Sequence, residues 1–134
     1  PLLILNGIMM STASWKESIG SLTEKYWLIL VDFYNQGKSA KLGNELTSEM
    51  NKSVILDLLN ELKIAKVNLL GISYGGEMSL LFAIENSDRI DKLILSNTTS
   101  HTDYLLKHMG YAWKYACEDY DVEKFFMTCM PLLK

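Results

Sequence analysis

The 134-residue chain is predicted to fold as an α/β protein with a doubly wound, mostly parallel sheet, followed by a helical segment. Three observations carry that prediction. Short, continuous apolar runs recur between residues 2 and 96, with the length and character of strands buried on both faces. Stretches of helical period separate them. At one junction, Gly71-Ile72-Ser73-Tyr74-Gly75 sets a serine between two glycines, just after an apolar run and just before a helical pattern.

Taken in order, residues 2–6 form the first expected strand. Trp15, Ile19 and Leu22, at i, i+4 and i+7, mark the first helix. Residues 27–32 are the second strand. Val54, Ile55, Leu58, Leu59 and Leu62 line one face of a longer helix with Thr47 as its N-cap. Residues 66–70 are the third strand, Met78, Leu81, Phe82 and Ile84 continue the helix that starts at the serine junction, and residues 92–96 are the fourth strand. This alternation implies right-handed crossovers. If the first crossover carries the chain to one side of strand 2–6 and the next returns it to the other, strands 2–6 and 66–70 become neighbours at a topological switch point, with their C-terminal loops facing each other.

After Ser96 no further strand is expected. Leu105, Met109, Ala112 and Ala116 form one apolar stripe, and Val122, Phe125, Phe126, Cys129 and Met130 a second that ends at Pro131. Residues 1–97 are therefore read as the core and 98–134 as the start of a helical cap or lid, which either lines an apolar pocket or packs for stability alone.

The serine junction has two readings. A strand turning sharply into a helix strains the residue at the bend, and glycines at 71 and 75 remove collisions across it. The Ser73 hydroxyl would then project into open space, as in a nucleophile elbow. The plainer reading is a glycine-rich turn whose serine caps the helix.

Composition narrows the function classes. With 13 basic and 16 acidic residues and no block of either sign, nothing points to a nucleic-acid surface; a small-molecule substrate fits better. No apolar run approaches the roughly 20 residues of a membrane span, and the N-terminus lacks the features of a signal peptide, so a cytoplasmic setting is expected. Cys117 and Cys129 have neither zinc-ligand nor disulfide-framework spacing and are expected to pack as small apolar residues. Pro1 and Lys134 read as cut ends of a longer protein.

Two nucleotide motifs fail on inspection. Gly37-Lys38-Ser39 ends like a phosphate-binding loop, but its first glycine would fall at Asp32, whose carboxylate repels phosphate. Gly71 to Gly76 approaches a dinucleotide fingerprint, but Ser73 replaces the glycine that admits the pyrophosphate.

Over nearly its whole length the chain resembles the α/β-hydrolase family. Leu2-Leu3-Ile4-Leu5-Asn6-Gly7-Ile8-Met9 looks like the third strand and oxyanion loop of that fold, Asp32 to Ser39 like the loop after the fourth strand, Gly71 to Gly76 like the elbow and Lys92 to Asn97 like the sixth strand. Two departures stand out: Asn6 replaces a usual histidine, and Asn35-Gln36 replace a common Gly-His. The resemblance implies a serine hydrolase acting on an ester, thioester, amide or lactone through an acyl-enzyme on Ser73. The oxyanion hole would be the backbone N–H groups of Ile8 and Tyr74, leaving both side chains free to line the acyl pocket. That mechanism requires no metal or organic cofactor. A serine at 73 also argues against the haloalkane dehalogenase and epoxide hydrolase branches, which the resemblance says use aspartate there.

The nucleophile needs a histidine base and a carboxylate to orient it, which this family places after the serine in the order acid, histidine. His101 and His108, the two histidines of the chain, are expected on an exposed polar face, and Asp103 lies about six residues too far on to be assigned. The acid and histidine are expected beyond Lys134, so the 134 residues alone are expected to be inactive. The alternative is a hydrolase-fold binding protein or pseudoenzyme that keeps the pocket without turnover.

Overall fold

Four parallel strands form one sheet in the order β2-β1-β3-β4. They are β1 (Leu2–Leu5), β2 (Leu28–Val31), β3 (Val67–Ile72) and β4 (Ile90–Ser96). The computed structural model describes residues 1–118 and 121–129, apart from the side chains of Asn44, Val122 and Cys129. Two compact units divide the chain, Pro1–Ser100 and His101–Lys134.

The apolar runs of the first unit are continuous because the sheet feeds two cores. Side chains alternate across a strand, so Leu3 and Leu5 of β1, Ile29 of β2 and Val67 and Leu69 of β3 point to one face, where Phe33 joins them. There they meet Ile55 and Leu59 of α2 (Ser48–Glu61) and Met78 and Phe82 of α3 (Tyr74–Glu85). Leu2 and Ile4 point the other way, into a cluster with Trp15, Ile19 and Leu22. Each such buried side chain contributes about 1.5–3 kcal/mol over leaving it in water. The expected adjacency of the first and third strands is realised, since Leu5 of β1 pairs with Gly71 of β3.

Two expectations are corrected. The first helix is broken into a 3-10 turn, Thr12–Trp15, and a single α-turn, α1 (Gly20–Thr23); Ser18 between them and Gly20 at the start of the second favour a break over a continuous helix, and the three apolar side chains still reach one cluster. β4 is not buried on both faces: Leu93, Ile94 and Leu95 are exposed, because among the described residues β4 has one sheet neighbour. The helix from the serine junction is found as expected: α3 carries Met78, Leu81, Phe82 and Ile84, of which Met78 and Phe82 are buried and Leu81 and Ile84 exposed.

α2 begins as expected, with the Thr47 hydroxyl accepting from the Met50 N–H at 3.2 Å. It ends in a Schellman arrangement, Ile64 N–H to Leu59 C=O at 2.8 Å and Lys63 N–H to Asn60 C=O at 3.0 Å. Lys63 holds the left-handed position of that motif at φ 55°, where a side chain is strained and glycine is not. Lys63→Gly is expected to stabilise the protein by up to about 1 kcal/mol, read as a rise in Tm; a fall would show that the lysine stem makes compensating contacts. Lys52 bridges α2 to α3 through Glu85 at 2.5 Å while also pairing with Glu49 at 2.8 Å.

The second unit holds α4 (Tyr104–Glu118) and α5 (Val122–Cys129). Asp103 and Asp121 cap them, accepting from the Leu106 N–H at 2.8 Å and the Lys124 N–H at 2.9 Å. Lys124 lies over the Tyr115 ring at 3.8 Å, tying the two helices. Of the first stripe Ala116 is buried but Leu105 is exposed. Cys117 is exposed rather than packed, while Cys129 and Val122 as side chains, and Met130 and Pro131, lie outside the described residues.

Candidate active site

Ser73 sits at φ 52°, ψ −119° between β3 and α3, a backbone conformation that costs a non-glycine residue about 1–3 kcal/mol. Its hydroxyl makes no capping bond to the helix, so the plainer reading of a helix-capping serine fails. What holds the strain is the backbone. The Ser73 N–H donates to the Ser96 carbonyl at 3.0 Å; its own carbonyl accepts from the Gly76 N–H at 2.8 Å, the Glu77 N–H at 3.2 Å and the Thr98 hydroxyl at 2.7 Å.

The glycines around it answer to close approach. A Cβ on Gly71 would lie 2.5 Å from the Gly75 carbonyl oxygen and 2.6 Å from Gly76 Cα. One on Gly75 would lie 2.6 Å from the Leu5 carbonyl carbon and 2.7 Å from the Asn6 oxygen. Gly76, which the sequence did not single out, is equally confined by the Thr98 side chain at 2.5 Å. Gly75 thus lets the start of α3 rest on the end of β1, which brings the loop after β1 to Ser73. A Cβ on Gly7 would stand 3.4 Å from Ser73 Cβ.

That loop is a tight turn, closed by Met10 N–H to Gly7 C=O at 3.2 Å, with Met9 at φ 62° and the Ile8 side chain exposed. The Tyr74 side chain, by contrast, is not free. It packs edge-on against Phe33 with centroids 6.1 Å apart, and its hydroxyl accepts from Asn51 Nδ2 at 2.8 Å. Helix α2 therefore claims the ring that the sequence left to the acyl pocket.

Asn6 and Asp32 brace the same loop from below. Fully buried, Asn6 donates to the Val31 carbonyl at 2.7 Å and to Asp32 Oδ1 at 3.3 Å, and accepts from Trp15 Nε1 at 2.7 Å. Asp32 also accepts from the Thr12 N–H at 2.6 Å and hydroxyl at 3.2 Å and from the Lys38 N–H at 3.2 Å. Gly37, at φ 42°, lies so close to this carboxylate that a Cβ there would be 2.8 Å from Oδ1. The N–H of Lys38 is thus aimed at the chain's own carboxylate rather than at a phosphate.

Burial is the largest influence on Asp32 and opposes its ionisation, but the hydrogen bonds from Thr12, Lys38 and Asn6 together outweigh it and hold its pKa below the usual value. A carboxyl depressed in the folded state adds stability above its unfolded pKa of about 3.9 and loses it as pH falls through the lower folded value. Thermal melts of wild type and Asp32→Asn are therefore expected to differ at neutral pH and to converge below about pH 4. A gap that stays constant to pH 2 would contradict this account. Glu77, in the first turn of α3, is shifted the other way, raised by burial.

The two histidines lie in the second unit, where both are exposed. His108 stacks on Tyr104 at 3.9 Å and its Nδ1 is 2.7 Å from the Tyr104 carbonyl. The first unit contains no histidine. Among the described residues no group of His, Cys, Asp and Glu could hold a metal ion, and no helix is long and apolar enough to cross a membrane.

A family model described as alpha/beta hydrolase fold matches residues 1–120. A 2-hydroxy-6-oxononadienedioate/2-hydroxy-6-oxononatrienedioate hydrolase of Escherichia coli K12 is 35% identical over 85 residues, 62% of this chain and 30% of the relative. Among solved structures, MGS-M2, an alpha/beta hydrolase enzyme from a Medee basin deep-sea metagenome library, aligns at a TM-score of 0.92 with 31% identity, covering 97% of this chain and 47% of its own. A thermophilic esterase from Thermogutta terrifontis aligns at 0.77 with 26% identity, over 87% of this chain and 43% of its own. The chain thus spans about a third of the curated relative and about half of each solved structure.

Proposed function

This chain belongs to the alpha/beta hydrolase fold family, and from that premise we propose that it carries the nucleophile and oxyanion loop of a serine hydrolase. The observation that supports this most is the strained Ser73, whose hydroxyl caps nothing while the Gly7 loop lies against it. In the proposed reaction Ser73 Oγ attacks a carbonyl carbon and its proton passes to a histidine. The carbonyl oxygen takes the negative charge and faces the Ile8 and Tyr74 N–H groups. Collapse expels the leaving group with that proton, and water then cleaves the acyl-enzyme.

The substrates proposed are small, mostly apolar esters, thioesters, amides or lactones in a cytoplasmic setting. The E. coli relative is named for oxo-dienedioates, so such oxo-acids belong among the compounds tried. Because the unit that carries Ser73 has no histidine, the base and its acid are proposed to lie beyond Lys134, with residues 98–134 beginning a cap.

A fluorophosphonate probe tests the reading. The intact protein should be labelled at Ser73 and the Ser73→Ala variant should not; the 134-residue piece alone should show no turnover. A folded, unlabelled intact protein would favour a hydrolase-fold binding protein instead.

A further inference from the structure

We infer that Gln36 is a positioning residue for the oxyanion loop, acting through the carbonyl of Gly7 on the N–H of Ile8. The inference rests on the reading of Ser73 as nucleophile and adds a side chain that reading does not use.

Gln36 comes from the loop after β2, 29 residues from Gly7 in sequence. Its Nε2 donates to the Gly7 carbonyl at 3.0 Å, while its Oε1 accepts from the Phe33 N–H at 3.3 Å. These partners fix the amide in one sense, because rotating it by half a turn would set oxygen against oxygen and N–H against N–H. The Gly7 carbonyl also accepts from Met10 at 3.2 Å, so both of its lone pairs are engaged.

The Gly7–Ile8 peptide is trans, as is every described peptide. In a planar trans peptide the C=O and the following N–H point in opposite directions. Clamping the Gly7 oxygen therefore fixes the direction of the Ile8 N–H. Without Gln36 the bond from Met10, within the same turn, would be left to hold that carbonyl: Gly7 has the freest backbone of any residue type, and the turn is strained at Met9. Two hydrogen bonds to the carbonyl also polarise the amide, which makes its N–H a better donor to an oxyanion. The loop is thus held ready before charge develops, the condition under which such a donor lowers a barrier.

The test uses the intact protein and a substrate it turns over, with active sites counted by fluorophosphonate titration. Gln36→Met keeps the length of the side chain and removes both hydrogen bonds. Gln36→Glu keeps the bond from Phe33 but sets an acceptor against the Gly7 oxygen. For each, kcat per labelled site is expected to fall about 10- to 100-fold, with KM within about twofold. Inhibition by a boronic acid, which forms a tetrahedral adduct on serine, should weaken by a similar factor. A role in stability alone would lower Tm and the number of labelled sites but leave kcat per site intact, and that result overturns the inference. So does an unchanged kcat in both variants when Ser73→Ala has abolished turnover. Turnover that survives Ser73→Ala is a separate outcome, and it removes the reading of Ser73 on which this one stands.

Discussion

Ser73→Ala in the intact protein is expected to lower turnover by roughly 10⁴- to 10⁶-fold with almost no cost to stability. The two effects separate because the Ser73 hydroxyl has no hydrogen-bond partner among the described residues, so its removal leaves no buried group unpaired. The shift in folding free energy should stay within about 0.5 kcal/mol. Ser73→Gly is the sharper form of the test. It should be equally inactive yet more stable, by about 1 kcal/mol, since relief of a strained backbone worth about 1–3 kcal/mol exceeds the extra entropy that glycine loses on folding. Rates with a chromogenic ester and melts by circular dichroism measure both. If the glycine variant is less stable than wild type, φ 52° and ψ −119° are not costing the fold what the backbone implies.

Gly75→Ala is expected to destabilise the protein by about 3–5 kcal/mol, among the largest effects a single methyl group can have. Its Cβ would lie 2.6 Å from the Leu5 carbonyl carbon, whereas carbon atoms in contact rest at about 3.5–4.0 Å. Neither side can give way easily. β1 is hydrogen-bonded on both edges, to β2 and β3, and the start of α3 is tied by its Gly76 and Glu77 N–H groups to the Ser73 carbonyl, which the Thr98 hydroxyl also holds. Gly20→Ala supplies the control, because a Cβ there meets nothing within 4 Å and alanine favours the helical turn. Chemical denaturation of both variants should show a large loss for the first and none for the second; equal midpoints would mean that β1 can retreat after all.

The sheet and the elbow were legible in the sequence because both rest on local signals. A run of apolar residues names a strand, and glycines on either side of a serine name a bend. The same signals misread β4, since an apolar run looks alike whether or not neighbouring elements cover it. Thr47 was readable as a cap from its place two turns before an apolar stripe. Asn6 and Gln36 stood out as departures from the resembled pattern, but their partners at Trp15, Val31 and Gly7 did not. A side-chain hydrogen bond between distant loops leaves no periodicity. Nor could the sequence show that Thr98 holds the Ser73 carbonyl or that Asn51 claims the Tyr74 hydroxyl.

Asn6 carries a consequence for how this site can vary among related chains. Its amide offers a donor to Val31 and an acceptor to the Trp15 indole, and a neutral imidazole also has one of each. Exchange between asparagine and histidine at position 6 therefore keeps Val31 and Trp15 served and gives up the longer bond to Asp32. A phenylalanine at 15, however, would strand the acceptor in the core at a cost of about 1–3 kcal/mol. The constraint runs from position 15 to position 6: where the tryptophan is lost, the residue before the oxyanion glycine is expected to have changed with it.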